Sequence, residues 1–204
     1  MPQAEVSLPA AGSLMWSALR RQLPREQAML VFLQTQRLVL RRFTPLDLDN
    51  LVDLNSDPDV MRFINGGQAT PREVVETSIL PAFLSYYEWS ADYGFWAAIE
   101  KNNEQFLGWF QFRPENASKR DEVELGYRLR KAAWGKGYAT EGAAALIRRG
   151  FICTDVQRVV ASAMFDHAAS RRVMEKVGLE LVRTVPHQWP EGTRAPGGPG
   201  WSMR

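Results

Sequence analysis

Residues Ala132 to Gly142 read Ala-Ala-Trp-Gly-Lys-Gly-Tyr-Ala-Thr-Glu-Gly. Two glycines, a lysine and small residues at the start of a helix can hold a pyrophosphate. The first N–H groups of a helix have no partner within it, and the helix dipole adds partial positive charge there. Glycine lets the backbone approach an anion with no Cβ in the way. Lys136 adds a charge of the right sign. A Gly-Lys-Gly triplet alone also occurs in ordinary turns, so its weight comes from what flanks it.

A strand pattern precedes the loop. From Glu122 to Arg130, Val123, Leu125, Tyr127 and Leu129 alternate with Glu124, Gly126, Arg128 and Arg130. A period of two gives one apolar and one polar face. A helix pattern follows, from near Tyr138 to about Phe151, with Ala139, Ala143, Leu146 and Gly150 on one side and Arg148 and Arg149 in the last turn. Arg158 to Ala163 reads as a second, β-branched strand. Asp166 then caps a helix whose buried stripe is Ala169, Val173 and Val177, closed by Gly178.

Three segments together carry a resemblance. Glu124-Leu125-Gly126-Tyr127, Trp134-Gly135-Lys136-Gly137-Tyr138-Ala139-Thr140-Glu141, and Ser170-Arg171-Arg172-Val173-Met174-Glu175-Lys176-Val177-Gly178-Leu179 resemble the GNAT N-acetyltransferases. The nearest branch is the RimJ/RimL type, which acetylates protein N-termini and other primary amines. Thr35 to Arg41 and Asp57 to Phe63 look like that branch's first strand and following helix. The resemblance runs from about Leu33 to Trp189. It implies an α/β fold, a mixed, mostly antiparallel sheet with helices on both faces. That sheet splays between two parallel strands, Glu122–Arg130 and Arg158–Ala163. It also implies acetyl-CoA as co-substrate, no metal, and direct attack by a primary amine in a ternary complex.

The chemistry sets the site. An alkylammonium has no lone pair, so the amine must lose a proton, and a free amine of this kind has a pKa of roughly 10.4. Attack on the thioester makes an oxyanion that preplaced N–H groups hold best. By resemblance, Glu124 is the base, acting through water, and the backbone N–H near Leu129 polarises the acetyl carbonyl. Ser170 stands near the sulfur. Each has a plainer role: a strand glutamate facing solvent or paired with an arginine, and a serine bonding back to its own helix. Many relatives carry a tyrosine four residues after Ser170, where this chain has Met174. Many carry asparagine where this chain has His167. His167 can still make one hydrogen bond to the pantetheine arm, or simply sit beside a helix cap. Trp134 is a branch marker. Gly135, Lys136, Gly137, Tyr138, Ala139 and Thr140 offer backbone N–H groups to the pyrophosphate, with Arg130, Lys131 and Arg171 either near the nucleotide phosphates or, each taken singly, solvated surface charge. Phe63, Asn65, Trp109 and Trp189 are assigned to the acceptor cleft.

Upstream, Arg37 to Phe43 reads as a strand and Pro45 to Leu54 as a helix capped by Thr44. Thr70-Pro71-Arg72-Glu73 opens a helix reaching about Trp89 through a capping box, kinked or interrupted by Pro81. Phe95–Glu100 and Phe106–Phe112 form a hairpin. Residues 1–30 are an N-terminal extension, 31–189 one catalytic domain, and 190–204 a Pro/Gly-rich loop. The final strand of the resembled fold is expected to be missing.

Composition narrows little further. The 204 residues, 45% hydrophobic and 24% charged, suit one globular core. A net charge of +2 gives no electrostatic case for nucleic acid. The single cysteine, Cys153, excludes an internal disulfide and fits a reducing, cytoplasmic setting. No apolar run is long enough to span a membrane. The chain is expected to act as a monomer or homodimer. A different class stays open: a GNAT-like module that binds acyl-CoA as a sensor or scaffold without turnover.

Overall fold

The alternation along Glu122–Leu129 becomes the centre of a sheet. In the computed structural model, residues 31–114, 120–185 and 200–203 are described. The chain divides into two units, Met1–Val31 and Phe32–Arg204, and the site belongs to the second. Strands β1 (Val31–Gln34), β2 (Leu38–Arg41), β3 (Gly94–Glu100), β4 (Phe106–Pro114), β5 (Glu122–Leu129), β6 (Arg158–Met164), β7 (Leu181–Val185) and β8 (Gly200–Met203) lie in the order β1-β2-β3-β4-β5-β6-β8-β7. Neighbours from β2 to β5 are antiparallel, and β5 and β6 are parallel. The helices are α1 (Leu48–Ser56), α2 (Pro58–Asn65), α3 (Leu80–Trp89), α4 (Tyr138–Cys153) and α5 (Ala168–Lys176). This is the expected mixed sheet with helices on both faces.

Two cores flank the sheet, and β5 feeds one of them. Val123, Leu125 and Leu129 join Phe110, Phe112, Ala143, Leu146 and Met174 under α4 and α5. Leu51, Leu54, Val60, Phe83, Phe95 and Trp109 form the other core, under α1 to α3. Burying each such side chain stabilises by about 1.5–3 kcal/mol, so the alternation fixes which way β5 faces. Helix α4 lies close to β4 because Gly142 and Gly150 sit against the Phe110 and Phe112 rings.

Several local expectations change. Pro45–Asp47 is a 3₁₀ turn and α1 begins only at Leu48. Asp47, not Thr44 alone, organises that corner: it accepts from Thr44 N–H and takes both Arg41 nitrogens at 2.7 Å. The Thr70 capping box does not form, and Arg72–Val74 starts without a side-chain cap bond. The run is interrupted ahead of Pro81, as expected. The Pro81 ring would strike the carbonyl of Thr77, and a π-helical stretch, Val75–Ile79, precedes α3. Helix α4 continues two residues beyond Phe151, so Arg148 and Arg149 precede its last turn.

The largest correction is at the C-terminus. Gly200–Met203 is a strand, pairing antiparallel with Ala161–Met164 of β6 on one side and with β7 on the other. It fills the place expected to be empty. A four-residue strand is too short to show a period in sequence, and its backbone hydrogen bonds, not its composition, hold it. Residues 1–30 and 186–199, with Trp189 and most of the Pro/Gly-rich stretch, lie outside the described residues.

Candidate active site

Two parallel strands part in the middle of this sheet. Glu122, Val123 and Glu124 pair with Arg158, Val159 and Val160. Beyond them β6 turns to β8, while β5 stays with β4 as far as Leu129. Residues 125–129 of β5 thus have no strand on the β6 side. Glu124 stands at the last shared rung.

The glycine loop lies beyond the end of β5. A 3₁₀ turn, Lys131–Ala133, leads into it. Gly135 has φ +72° and Gly137 φ +83°, values that side chains rarely tolerate. Nothing lies within 4 Å of where a Cβ on Gly135 would sit. Gly137 is the N-cap of α4, so the free N–H groups of the first turn face the loop's mouth. This fits a pyrophosphate: open backbone, helix N-terminus, and exposed Lys136.

The loop is tied down rather than loose. The Trp134 indole donates to Leu129 O at 2.8 Å. Arg37 donates to Lys136 O at 2.9 Å, and its guanidinium lies 4.4 Å over the Tyr138 ring. Its Nε meets Glu141 at 2.7 Å, and Thr35 donates to the same carboxylate at 2.5 Å. Burial works against an ionised Glu141, but Thr35 and Arg37 outweigh it and hold the carboxyl below the usual range. Tyr138 is buried and its hydroxyl binds Glu100, so Tyr138 offers the loop only backbone.

The hydroxyls gather on the α5 side. The Ser170 and Tyr127 hydroxyls are 3.0 Å apart, and Tyr127 Oη is 3.1 Å from Ser170 O. Burial pushes the Tyr127 phenol up to about 12, with Ser170 acting in the opposite sense, so the phenol keeps its proton. Ser170 is 9% exposed and Met174 is core at 2%. The buried stripe of α5 is therefore Ser170 and Met174. The expected stripe was one residue off, and Ala169 is exposed. His167, not Asp166, is the N-cap: its Nδ1 accepts from Ser170 N–H at 3.1 Å. Its ring lies 4.2 Å from that of Phe63, leaving Nε2 as the nitrogen that can meet a ligand. Burial, helped by Arg62, lowers the His167 pKa.

The opposite face carries charge. Glu124 accepts from Gln111 Nε2 at 2.7 Å and from Arg113 Nη2 at 3.2 Å. Arg128 donates to Asn55 Oδ1 at 2.5 Å and lies 5.1 Å over Trp109. Trp109 is 8% exposed, packed at right angles to Phe83 and Phe95. Asn65 closes its own turn, exchanging hydrogen bonds with Gln68 at 2.9 and 3.0 Å. Arg130 reaches Asp53 at 3.5 Å and Lys131 reaches Asp59 at 2.5 Å. A cleft of about 510 Å³ between these basic residues and α1 and α2 is lined by Asp53, Leu54, Asp57, Val60, Arg130, Lys131 and Ala132. Arg171, on α5, lies 5.1 Å over Phe165 and is not among the residues that line that cleft.

The structure thus brings Ser170, His167 and Phe63 together, sets Glu124 at the strand divergence, and gives Asn65 a turn-closing role. Sequence reasoning missed Tyr127, Gln111, Arg113 and Asn55. Tyr127 had a readable signal: a buried tyrosine hydroxyl normally needs a partner. The other three had none, because their place depends on register between β4 and β5 and on how α1 docks.

The chain is similar to known proteins in sequence and in fold. The acetyltransferase (GNAT) domain family matches residues 37–180. The protein YkkB of Bacillus subtilis, of uncharacterised function, is 30% identical over 156 residues, 75% of this chain and 87% of its own. The FsC-acetyl coenzyme A-N(2)-transacetylase of Aspergillus fumigatus is 30% identical over 161 residues, 74% of this chain and 66% of that one. Among solved structures, the ribosomal L7/L12 α-N-protein acetyltransferase RimL in complex with coenzyme A superposes with a TM-score of 0.70. The identity is 16%, covering 85% of this chain and 96% of that one. The chain belongs to the GNAT acetyltransferases and is an acyltransferase enzyme of that family.

Proposed function

We propose that the protein moves an acetyl group from acetyl-CoA to a primary amine by direct attack in a ternary complex, in the manner of the RimJ/RimL branch. The observation that carries this is the parting of β5 from β6 directly after Glu124, with the glycine loop past one end and the Ser170–Tyr127 pair on one side. The pantetheine arm enters the parting, and the backbone of Gly135 to Thr140 holds the pyrophosphate.

The amine approaches from the α1–α3 face. Glu124, through water, takes the proton from the ammonium. The nitrogen lone pair then attacks the thioester carbon, forming the C–N bond, and the oxyanion is held by the backbone N–H near Leu129. Collapse breaks the C–S bond. As it leaves, the thiolate accepts a hydrogen bond from the Ser170 hydroxyl and takes up the proton that the nitrogen sheds on becoming an amide, with Tyr127 as the neighbouring hydroxyl that orients Ser170 and keeps its own proton. Met174 supplies no acid, and Ser170, oriented by the Tyr127 hydroxyl, is the hydrogen-bond donor to the sulfur.

Glu124→Gln keeps size and hydrogen bonding to Gln111 and Arg113 but removes the base. Acetyl-CoA affinity should stay nearly intact. The acetylation rate should fall by about 10²- to 10⁴-fold, with the profile displaced to higher pH where more free amine exists. A pH–rate curve unchanged in Glu124→Gln takes the base role from Glu124.

A further inference from the structure

Among the described residues, several arginines that are part-buried sit against carboxylates. Arg37 meets Glu141, Arg41 meets Asp47, Arg113 meets Glu124 and Arg149 meets Asp92. Arg128 does not. It projects from β5 on the same face as Glu124, one residue before Leu129, and no ion pair to it exists among the described residues. Its neighbours are the π face of Trp109 and the side-chain oxygen of Asn55. Burial without a counter-charge lowers its pKa to about 10.

Asn55 repeats the anomaly. It is 1% exposed, and its oxygen is committed to Arg128, which fixes the amide's orientation. The Nδ2 group is then a buried donor with no protein partner, and Arg128 Nε is another. Buried donors are normally satisfied, so two adjacent orphans beside an uncompensated cation are costly to keep. Their common complement is a carboxylate. A guanidinium offers it two parallel N–H groups, and the Asn55 amide offers a third. Arg128 keeps part of its side chain exposed, which is where a ligand meets it first, while Asn55 Nδ2 and Arg128 Nε lie behind that surface.

We propose that Arg128 and Asn55 form a carboxylate subsite beside the reacting centre, and that the acceptor is an amine bearing a carboxylate a few bonds away. The inference rests on the proposed transferase reading, which supplies the amine and places it on this face. Glu124 then deals with the ammonium end and Arg128 with the carboxylate end of one small zwitterionic group. The carboxylate comes from a free amino acid's own α-carboxyl or from the side chain of an acidic residue at a peptide N-terminus.

Equilibrium binding separates this from turnover. N-acetylated products keep the carboxylate and need no reaction. The full-length protein, saturated with CoA, is titrated with N-acetyl amino acids and their carboxamides, and with N-acetyl peptides beginning in Asp or Glu and their Asn or Gln counterparts. The carboxylate member of at least one series should bind about tenfold or more tightly than its amide. The series that shows it identifies the source. Asn55→Asp places a carboxylate against Arg128. It should raise Tm, leave CoA affinity unchanged and abolish the preference, whereas a purely structural Arg128 would give the rise in Tm with the preference intact. Arg128→Gln should also abolish the preference, and Arg128→Lys should leave a reduced one. Equal binding of acids and amides, no binding of either, or a preference that survives Asn55→Asp overturns the subsite. Loss of CoA binding in the unaltered protein would instead count against the transferase reading.

Discussion

In the proposed reaction, Ser170 and Tyr127 together serve the leaving sulfur. Their hydroxyls are 3.0 Å apart, and the phenol is held neutral by burial. Ser170→Ala should therefore lower kcat by about 10- to 100-fold, the cost of one transition-state hydrogen bond, with little change in acetyl-CoA affinity. Tyr127→Phe should lower kcat less, because Ser170 remains and only its orientation is lost. Steady-state rates with affinities measured in parallel check both. Equal kcat in Ser170→Ala and the wild type would return the serine to packing. Glu124, Ser170 and the glycine loop could be singled out in sequence because their types and spacing resemble a family pattern, and their roles stay part of the proposal. Tyr127 was hidden by the same alternation that placed its strand: the pattern marks it as core and is silent on its hydroxyl. Arg113 and Asn55 were hidden because contact across β4 and β5, or from α1 to β5, leaves no trace in local sequence.

Among the elements, α4 carries the loop and depends on a close fit. Alanine favours a helix interior over glycine by about 1 kcal/mol. At Gly142 that gain is outweighed, since a Cβ would fall 2.3 Å from the tip of the Phe110 ring, and overpacking costs about 1–3 kcal/mol. Gly142→Ala should thus lower Tm, and because it displaces the helix N-terminus it should also weaken CoA binding. Thermal melting and calorimetry test this, and a raised Tm would contradict the packing. The sequence showed α4 and its apolar side, and it showed β5 and β6 nearly residue for residue, because long periodic segments announce themselves. It misplaced the cap and stripe of α5 by one residue, since His167 can cap a helix only when its ring is held, here against Phe63. It missed β8 because four residues held by pairing carry no period.

For the whole molecule, charge pairs between elements set the acid limit. Asp47 is 2% exposed; burial raises its pKa, but Arg41 and Thr44 outweigh that and leave it lowered. Glu141 is lowered as well. A carboxyl with a lowered folded pKa contributes stability above its unfolded value near 4 and loses it as pH falls through the folded one. Stability should therefore drop as pH falls below about 4. Asp47→Asn should flatten that limb and destabilise at neutral pH by about 3 kcal/mol. That is the low end for a broken buried pair, because Arg41 keeps a quarter of its side chain in water. Denaturant titrations from neutral to acid pH measure it, and a mutant with the wild-type acid limb would remove Asp47 from the account.

The central claim is that the parting of β5 and β6 is a place of reaction and not only of binding. Intact-mass analysis of the protein incubated with acetyl-CoA and a panel of amines, carboxylate-bearing ones included, tests it most directly. An amine gaining one acetyl group, with free CoA released in equal amount and both slowed in Ser170→Ala, is the expected result. Acetyl-CoA bound but unconsumed with every amine in the panel would contradict it and leave a sensor or scaffold in its place.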